Sequence, residues 1–228
     1  MPSLDPRVVH LKNGRPVVIR HAAPGDGSGI ARLMVAGFPI YRAAARGDAE
    51  RAAACLAGEL PLDQGVVAVL PETGLIAGAE FFSDNTRRRR GRLEAAATKL
   101  RLWGWYGLMR FAWASANAAF VGPPVRIAPG EIYKFMAAVD KRYQALGITT
   151  QMSDFVQDYA AENGYHSVWS YHASDNLPAM GVQRKRGCTL TPVPLRFLAR
   201  LLRRPPVLKS SKPAGAQAAG RSSETADS

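Results

Sequence analysis

One turn, lying between two segments of different periodicity, limits most strongly how this chain can fold. Glu131–Val139 (E-I-Y-K-F-M-A-A-V) follows Pro129-Gly130 and is rich in aromatic and β-branched residues, so it reads as a strand. Met152, Phe155, Val156, Tyr159 and Ala160 recur at helical spacing, and Asn163-Gly164 supplies a stop. Gln144-Ala145-Leu146-Gly147-Ile148-Thr149 therefore sits where a strand hands over to a helix N-terminus. Unpaired backbone N–H groups and the positive end of the helix dipole meet there, which suits a phosphate. Ala145 and Gly147 are small enough to let a phosphate reach the backbone, and Lys141 and Arg142 add positive charge beside it.

The N-terminal third supplies further elements. Pro16–Arg20 reads as a strand, Pro24-Gly25-Asp26 as a turn with Asp26 as an N-cap, and Ile30, Leu33, Met34 and Phe38 give a helix period. Asp48 caps a second helix carrying Ala52, Cys55, Leu56 and Leu60. Gly65–Leu70, the turn Pro71-Glu72-Thr73-Gly74 and Leu75–Phe82 form a hairpin.

The Gln144–Thr149 turn resembles motif A of the GNAT acyltransferases, Q/R-x-x-G-x-G/A between a strand and a helix. Gln144, Gly147 and Thr149 occupy the three defined places, Thr149 departing from the usual Gly or Ala. Downstream, Ser167–Tyr171 (S-V-W-S-Y) is a second strand candidate. The stretch from Asp175-Asn176-Leu177-Pro178-Ala179 to Arg186-Gly187-Cys188 then resembles motif B of the same family. Asn176, Ala179 and Gly187 match in spacing. Gln183 stands where the family often has a Tyr, the general acid to the departing thiolate, and Cys188 where it usually has Phe.

The resemblance spans residues 16–190 and implies an α/β (α+β) fold of the GNAT kind. Its central sheet would be mixed but mostly antiparallel and flanked by helices, with a helical insertion between the third and fourth strands. It also implies transfer of an acetyl or longer acyl group from a CoA or acyl-carrier-protein thioester to an amine. The thioester is then a cosubstrate, with no permanently bound cofactor. By the same resemblance the pantetheine arm runs beside Ile132–Val139, with backbone groups near Ala137 and Val139 as partners. The pyrophosphate rests on Gln144, Ala145, Leu146, Gly147, Ile148 and Thr149, and Asn176 orients the pantetheine region or the leaving sulfur.

Such an enzyme works chiefly by proximity and orientation, and the acceptor ammonium must first lose a proton. Glu80 at the end of the hairpin strand, Glu131 at the head of the motif A strand and His172 after the second motif strand are the candidate bases. His166 and His172 lack helical H-x-x-x-H spacing, so no metal site is expected. Cys188 has no readable His/Asp arrangement around it and reads as a packing position.

Charge and the remaining segments bear on partners. Lys and Arg number 30 against 18 Asp and Glu, a formal charge of +12 that favours acidic partners. No nucleic-acid-binding module is recognisable, which disfavours that partner. Residues 83–130 form the insertion, with a basic run (Thr86–Arg92) ahead of a nearly apolar stretch bearing Trp103, Trp105, Tyr106 and Trp113. These residue types favour an anionic membrane interface. The alternatives are a lid over the cleft, or helices that complete the core or a homodimer contact.

Leu195–Arg204 adds a basic amphipathic helix suited to a membrane surface or a partner. The expected organisation is one domain over residues 1–204 and a disordered tail over 205–228. Without an apolar run in M-P-S-L-D-P-R, the expected location is the cytoplasm, at the inner face of the membrane if these segments bind lipid. Two other readings are a GNAT-like binding or regulatory domain without turnover, and a nucleic-acid-binding protein.

Overall fold

The computed structural model describes residues 4–84, 100–101, 104–110, 112–113, 125–194 and 205–214. The strands are β1 (Arg7–His10), β2 (Pro16–His21), β3 (Gly65–Val69), β4 (Ile76–Ser83), β5 (Glu131–Val139), β6 (Ser167–Ala173), β7 (Thr189–Val193) and β8 (Val207–Pro213). The helices are α1 (Gly27–Gly37), α2 (Pro39–Ala44), α3 (Ala49–Ala57), α4 (Ile148–Glu162) and α5 (Leu177–Lys185). All strands join one sheet in the order β1-β2-β3-β4-β5-β6-β8-β7. Every neighbouring pair is antiparallel except β5 and β6, which are parallel.

Each face of the sheet has its own core. On one side Met152, Phe155, Val156 and Tyr159 of α4 pack on Val17, Ile19, Phe82, Ile132 and Val168. Gly78 permits this close approach, because a Cβ there would meet Ile148 at 2.7 Å and Met152 at 3.1 Å. On the other side Ile30, Leu33 and Met34 of α1 and Ala52, Cys55 and Leu56 of α3 pack on Val67, Ala79, Phe81 and Ala138. The alternation of β4 makes this possible, sending successive side chains to opposite layers.

The hairpin, both flanking helices and the motif A strand and helix stand as the sequence predicts. Asp48 accepts from the Arg51 N–H at 2.9 Å and caps α3. Asp26 departs from its expected role. Its carboxylate accepts from the Ala23 N–H at 2.7 Å and from the Arg20 guanidinium, and makes no cap bond to α1.

β1, α2 and β7 were not expected, and with β1 counted the insertion falls between β4 and β5. Of the described residues of that insertion, 100–101, 104–110 and 112–113 are helical. Among the described residues no helix is long and apolar enough to cross a membrane.

The largest correction concerns residues 205–228. Val207–Pro213 is not a disordered tail; it is β8, inserted between β6 and β7. Small polar residues such as Ser210 and Ser211 suffice here because two flanking strands satisfy the backbone. The predicted helix 195–204 and residues 215–228 lie outside the described residues.

Candidate active site

The parallel pair opens into a fork. Register runs from Glu131↔Ser167 to Lys134↔Ser170 and stops there. Beyond that point β5 continues to Val139 against β4 alone, while β6 continues to Ala173 against β8. A register shift between Phe81 and Phe82 leaves Phe135 as a bulge at the point of separation.

The backbone facing the fork follows from the alternation of an antiparallel ladder. The Asp140 N–H donates to the Ala77 carbonyl at 2.9 Å, so Ala138 and Met136 bond toward β4 while Ala137 and Val139 turn their N–H and C=O groups away from it. The Gln144 side-chain amide reaches the Val139 carbonyl on that side at 3.3 Å.

The turn after β5 is built to expose donors. A single 3-10 turn, Lys141–Tyr143, begins at Asp140, whose carboxylate accepts from the Arg142 N–H at 2.9 Å and from its guanidinium. That pairing holds the Asp140 carboxyl below its usual range. Arg142 is therefore turned back on Asp140, whereas Lys141 stays exposed. Ala145 has φ 63 and Gly147 φ 97, both left-handed. A Cβ at Gly147 would meet nothing within 4 Å, so the space in front of it is open. The first intrahelical bond of α4 runs from Gln151 to Gly147 at 3.1 Å. The N–H groups of Ile148, Thr149 and Thr150 therefore have no partner within the helix, and no side chain caps them.

Inside the fork, on the α4 side, lies a buried polar cluster. Lys134 Nζ is 2.9 Å from Glu80 and donates to Ser153 Oγ at 2.7 Å, and Ser153 is 3.0 Å from Glu80. Glu80 and Lys134 side chains are 4% and 6% exposed. Glu80 is thus not at a strand end; it stands inside β4, paired in register with Ala137. Next to the cluster, His172 Nε2 lies 2.8 Å from Ser170 Oγ, which also contacts Ser210 Oγ at 2.9 Å. Burial, and then the Lys134 charge, push the His172 imidazole down to about 4, with Glu80 opposing. The ring is neutral at physiological pH.

Glu131 lies at the other end of the strand. Its carboxylate accepts from the Trp169 indole N–H at 2.9 Å and from the Ala128 N–H at 3.2 Å. It sits where β5 and β6 are still paired, about 26 Å along the strand from Val139. The structure therefore brings Glu80 and His172 together at the fork and leaves Glu131 apart from them.

The fold as a whole also occurs in solved proteins. One structure titled as an acetyltransferase superposes with a TM-score of 0.55 at 17% identity, over 86% of this chain and 98% of that one. The GNAT domain of an S. lividans protein titled PAT gives 0.55 at 13% identity, over 91% and 96%. A GNAT-family acetyltransferase from Listeria monocytogenes gives 0.53 at 12%, over 91% and 99%. The chain has the GNAT fold. No protein-family profile and no curated protein matches the sequence.

Within the GNAT fold, motif B takes a structural form here. Asn176 Oδ1 accepts from the Ala179 N–H at 3.3 Å and caps α5. The far end of α5 is held by Arg186, whose guanidinium donates twice to Asp154 of α4, at 2.9 and 3.1 Å. Gln183, at the family's Tyr position, is 4% exposed and accepts from Cys188 Sγ at 3.2 Å.

The residues that sequence reasoning missed are Lys134, Ser153 and the tyrosines Tyr133 and Tyr171. Burial raises both tyrosines above their ordinary range. A sequence signal for Lys134 existed: it shares the face of Ile132 in an otherwise apolar strand, so a buried partner was required.

Proposed function

We propose that the protein transfers an acyl group from a CoA or acyl-carrier-protein thioester to an amine. The observation that carries this reading is the β5–β6 fork, with Ala137 and Val139 turned away from β4 and the open donors of Ile148, Thr149 and Thr150 at its end. The pyrophosphate binds at Gln144–Thr149 and the pantetheine amides pair with Ala137 and Val139, displacing the Gln144 amide from the Val139 carbonyl. The thioester carbonyl then reaches the fork near Phe135, and Asn176 borders the leaving sulfur.

The neutral amine attacks the carbonyl carbon, a C–N bond forms, the C–S bond breaks, and the thiolate takes up one proton to leave as the thiol. Glu80 is bound on two sides and holds Lys134 in place. His172 is the group at the fork able to accept the ammonium proton, directly or through water, and its low basicity makes it a weak base. Proximity then supplies most of the acceleration.

The test is thermal stabilisation and turnover with acetyl-CoA and longer acyl-CoAs, comparing the protein with Gly147→Asp, which places a carboxylate in the phosphate path. Stabilisation that Gly147→Asp abolishes supports the reading. A protein that no thioester stabilises, or that the variant leaves equally stabilised, overturns it.

A second reading concerns place of action, and rests on the insertion. Trp105 is 68% and Trp113 73% exposed, with Tyr106 and Met109 beside them. The guanidinium groups of Arg46 and Arg110 stack on Tyr106 at 5.4 and 5.6 Å. Aromatic residues framed by arginines fit an anionic lipid surface. Flotation with phosphatidylserine vesicles but not phosphatidylcholine vesicles, lost in Trp105→Ser/Trp113→Ser, supports it. Equal flotation of that double variant counts against it.

A further inference from the structure

On the face of the fork opposite α4, the rings of Tyr133, Trp169 and Tyr171 form a continuous aromatic wall. Their centroids lie 4.4 Å (Tyr133–Trp169), 5.1 Å (Trp169–Tyr171) and 6.0 Å (Tyr133–Tyr171) apart. Phe135, 40% exposed at the bulge, continues the wall from Tyr133 toward Phe81. The sidedness follows from the strand alternation, since Ile132 and Val168 face α4 and their neighbours Tyr133 and Trp169 face away.

A cation already sits on this wall. Lys209 of β8 holds its ammonium 4.4 Å from the centre of the Trp169 ring. Behind the same ring the Glu131 carboxylate accepts the indole N–H at 2.9 Å. An anion on the N–H edge pushes electron density toward the ring faces, so the face that meets Lys209 is a stronger cation site than an isolated Trp. Tyr171 feels Glu131 as well, its hydroxyl being raised first by burial and then by that charge.

We infer that this wall is the specificity subsite for the acyl acceptor, and that it takes a second cationic nitrogen of an alkyl diamine or polyamine while the first amine enters the fork. The inference rests on the acyl-transfer reading above for the fate of that first amine. The nitrogen on the wall cannot be the one that reacts, because ring faces favour the charged form and attack requires the neutral one. Lys209 marks the position and occupies it until an acceptor displaces the ammonium; with Lys209 in place Trp169 is 1% exposed, so its ring face is reached by that displacement. The acceptor chain then runs along Tyr133 and Phe135 to the bulge where β5 and β6 part.

Binding to the full chain separates this idea from turnover. The probes are 1,4-diaminobutane and pentylamine, equal in length but differing in one charged nitrogen. They are titrated without thioester by calorimetry and by the indole N–H resonance of Trp169, assigned with Trp169→Phe. The diamine is expected to bind and to shift that resonance, with pentylamine at least tenfold weaker. Lys209→Met, which keeps the stem and removes the competing charge, is expected to tighten diamine binding by about 3- to 10-fold, the size of a partly desolvated cation–ring contact. Equal binding of the two probes, or no tightening in Lys209→Met, overturns the subsite, even if acetyl-CoA and a monoamine turn over. If Lys209 itself becomes acylated when the protein is incubated with acetyl-CoA alone, the place-holding role is overturned. Tight diamine binding by a protein that no thioester stabilises leaves the cation site standing and removes the acyl-transfer reading.

Discussion

Replacing Lys134 by Met tests whether Glu80 is a structural anion or a working base. Both side chains are almost wholly buried, and among the described residues their hydrogen-bonding partners are each other and Ser153. Lys134→Met leaves the Glu80 carboxylate with one hydroxyl, and Glu80→Gln leaves the Lys134 ammonium in the same position. Removing one member of a buried pair costs about 3–5 kcal/mol, because the remaining charge is stranded. For a chain of this size that corresponds to a fall in Tm of about 10 °C.

The double variant Glu80→Gln/Lys134→Met strands no charge and keeps an amide to meet Ser153. It should lie within about 1–2 kcal/mol of the parent, giving a coupling of about 4 kcal/mol or more. Urea denaturation at pH 7 followed by far-ultraviolet circular dichroism measures all four proteins. Single variants that each cost under about 1 kcal/mol, the range of an exposed pair, would refute the burial argument, as would strict additivity. A Glu80→Gln protein with full stability and no turnover would instead make Glu80 the base.

Three other outcomes are expected. Truncation before residue 205 removes β8, uncovers the edge of β6 at Val168 and Trp169 and detaches β7, so the product should aggregate in gel filtration. His172 resists protonation in the folded state, with its imidazole at about 4 against an ordinary 6.5, while the unfolded ring binds a proton near 6.5. Stability should therefore fall as pH drops from 6.5 toward 4, by up to about 3 kcal/mol less what solvent contact returns, and His172→Asn should flatten urea midpoints measured across that window. His21, lowered first by burial, adds a loss of the same sign that this variant leaves in place. Gly147→Ala should cost about 1–2 kcal/mol from its left-handed backbone alone, since its Cβ meets open space, whereas Ala145→Gly, which relieves the same strain at φ 63, should shift urea stability by less than about 1 kcal/mol either way.

Legibility followed the physical source of each element. The Gln144–Gly147 turn and α4 were readable because their determinants are local: a strand pattern, small residues at left-handed positions, and an apolar stripe. Asp48 was readable for the same reason, its cap bond closing within three residues. Asp26 looked equivalent, but Arg20, six residues away, captures it, and no local pattern announces that competition. β8 was hidden because V-L-K-S-S-K-P has weak strand character of its own; β6 and β7 on either side make it a strand.

The candidate site divides in the same way. Its donors belong to a contiguous turn, whereas its buried polar groups are assembled from β4, β5 and α4 across more than seventy residues. Glu80 read as a candidate base at a strand end because the β5 partner was invisible. Once Lys134 is placed on the face of Ile132, a buried carboxylate opposite it becomes a requirement, and Glu80, register partner of Ala137 in the adjoining strand, is the one that meets it. The same logic separates the fork into a polar α4 side, where Glu80, Lys134 and Ser153 hold one another, and an aromatic side, Tyr133–Trp169–Tyr171, where the proposed acceptor subsite lies.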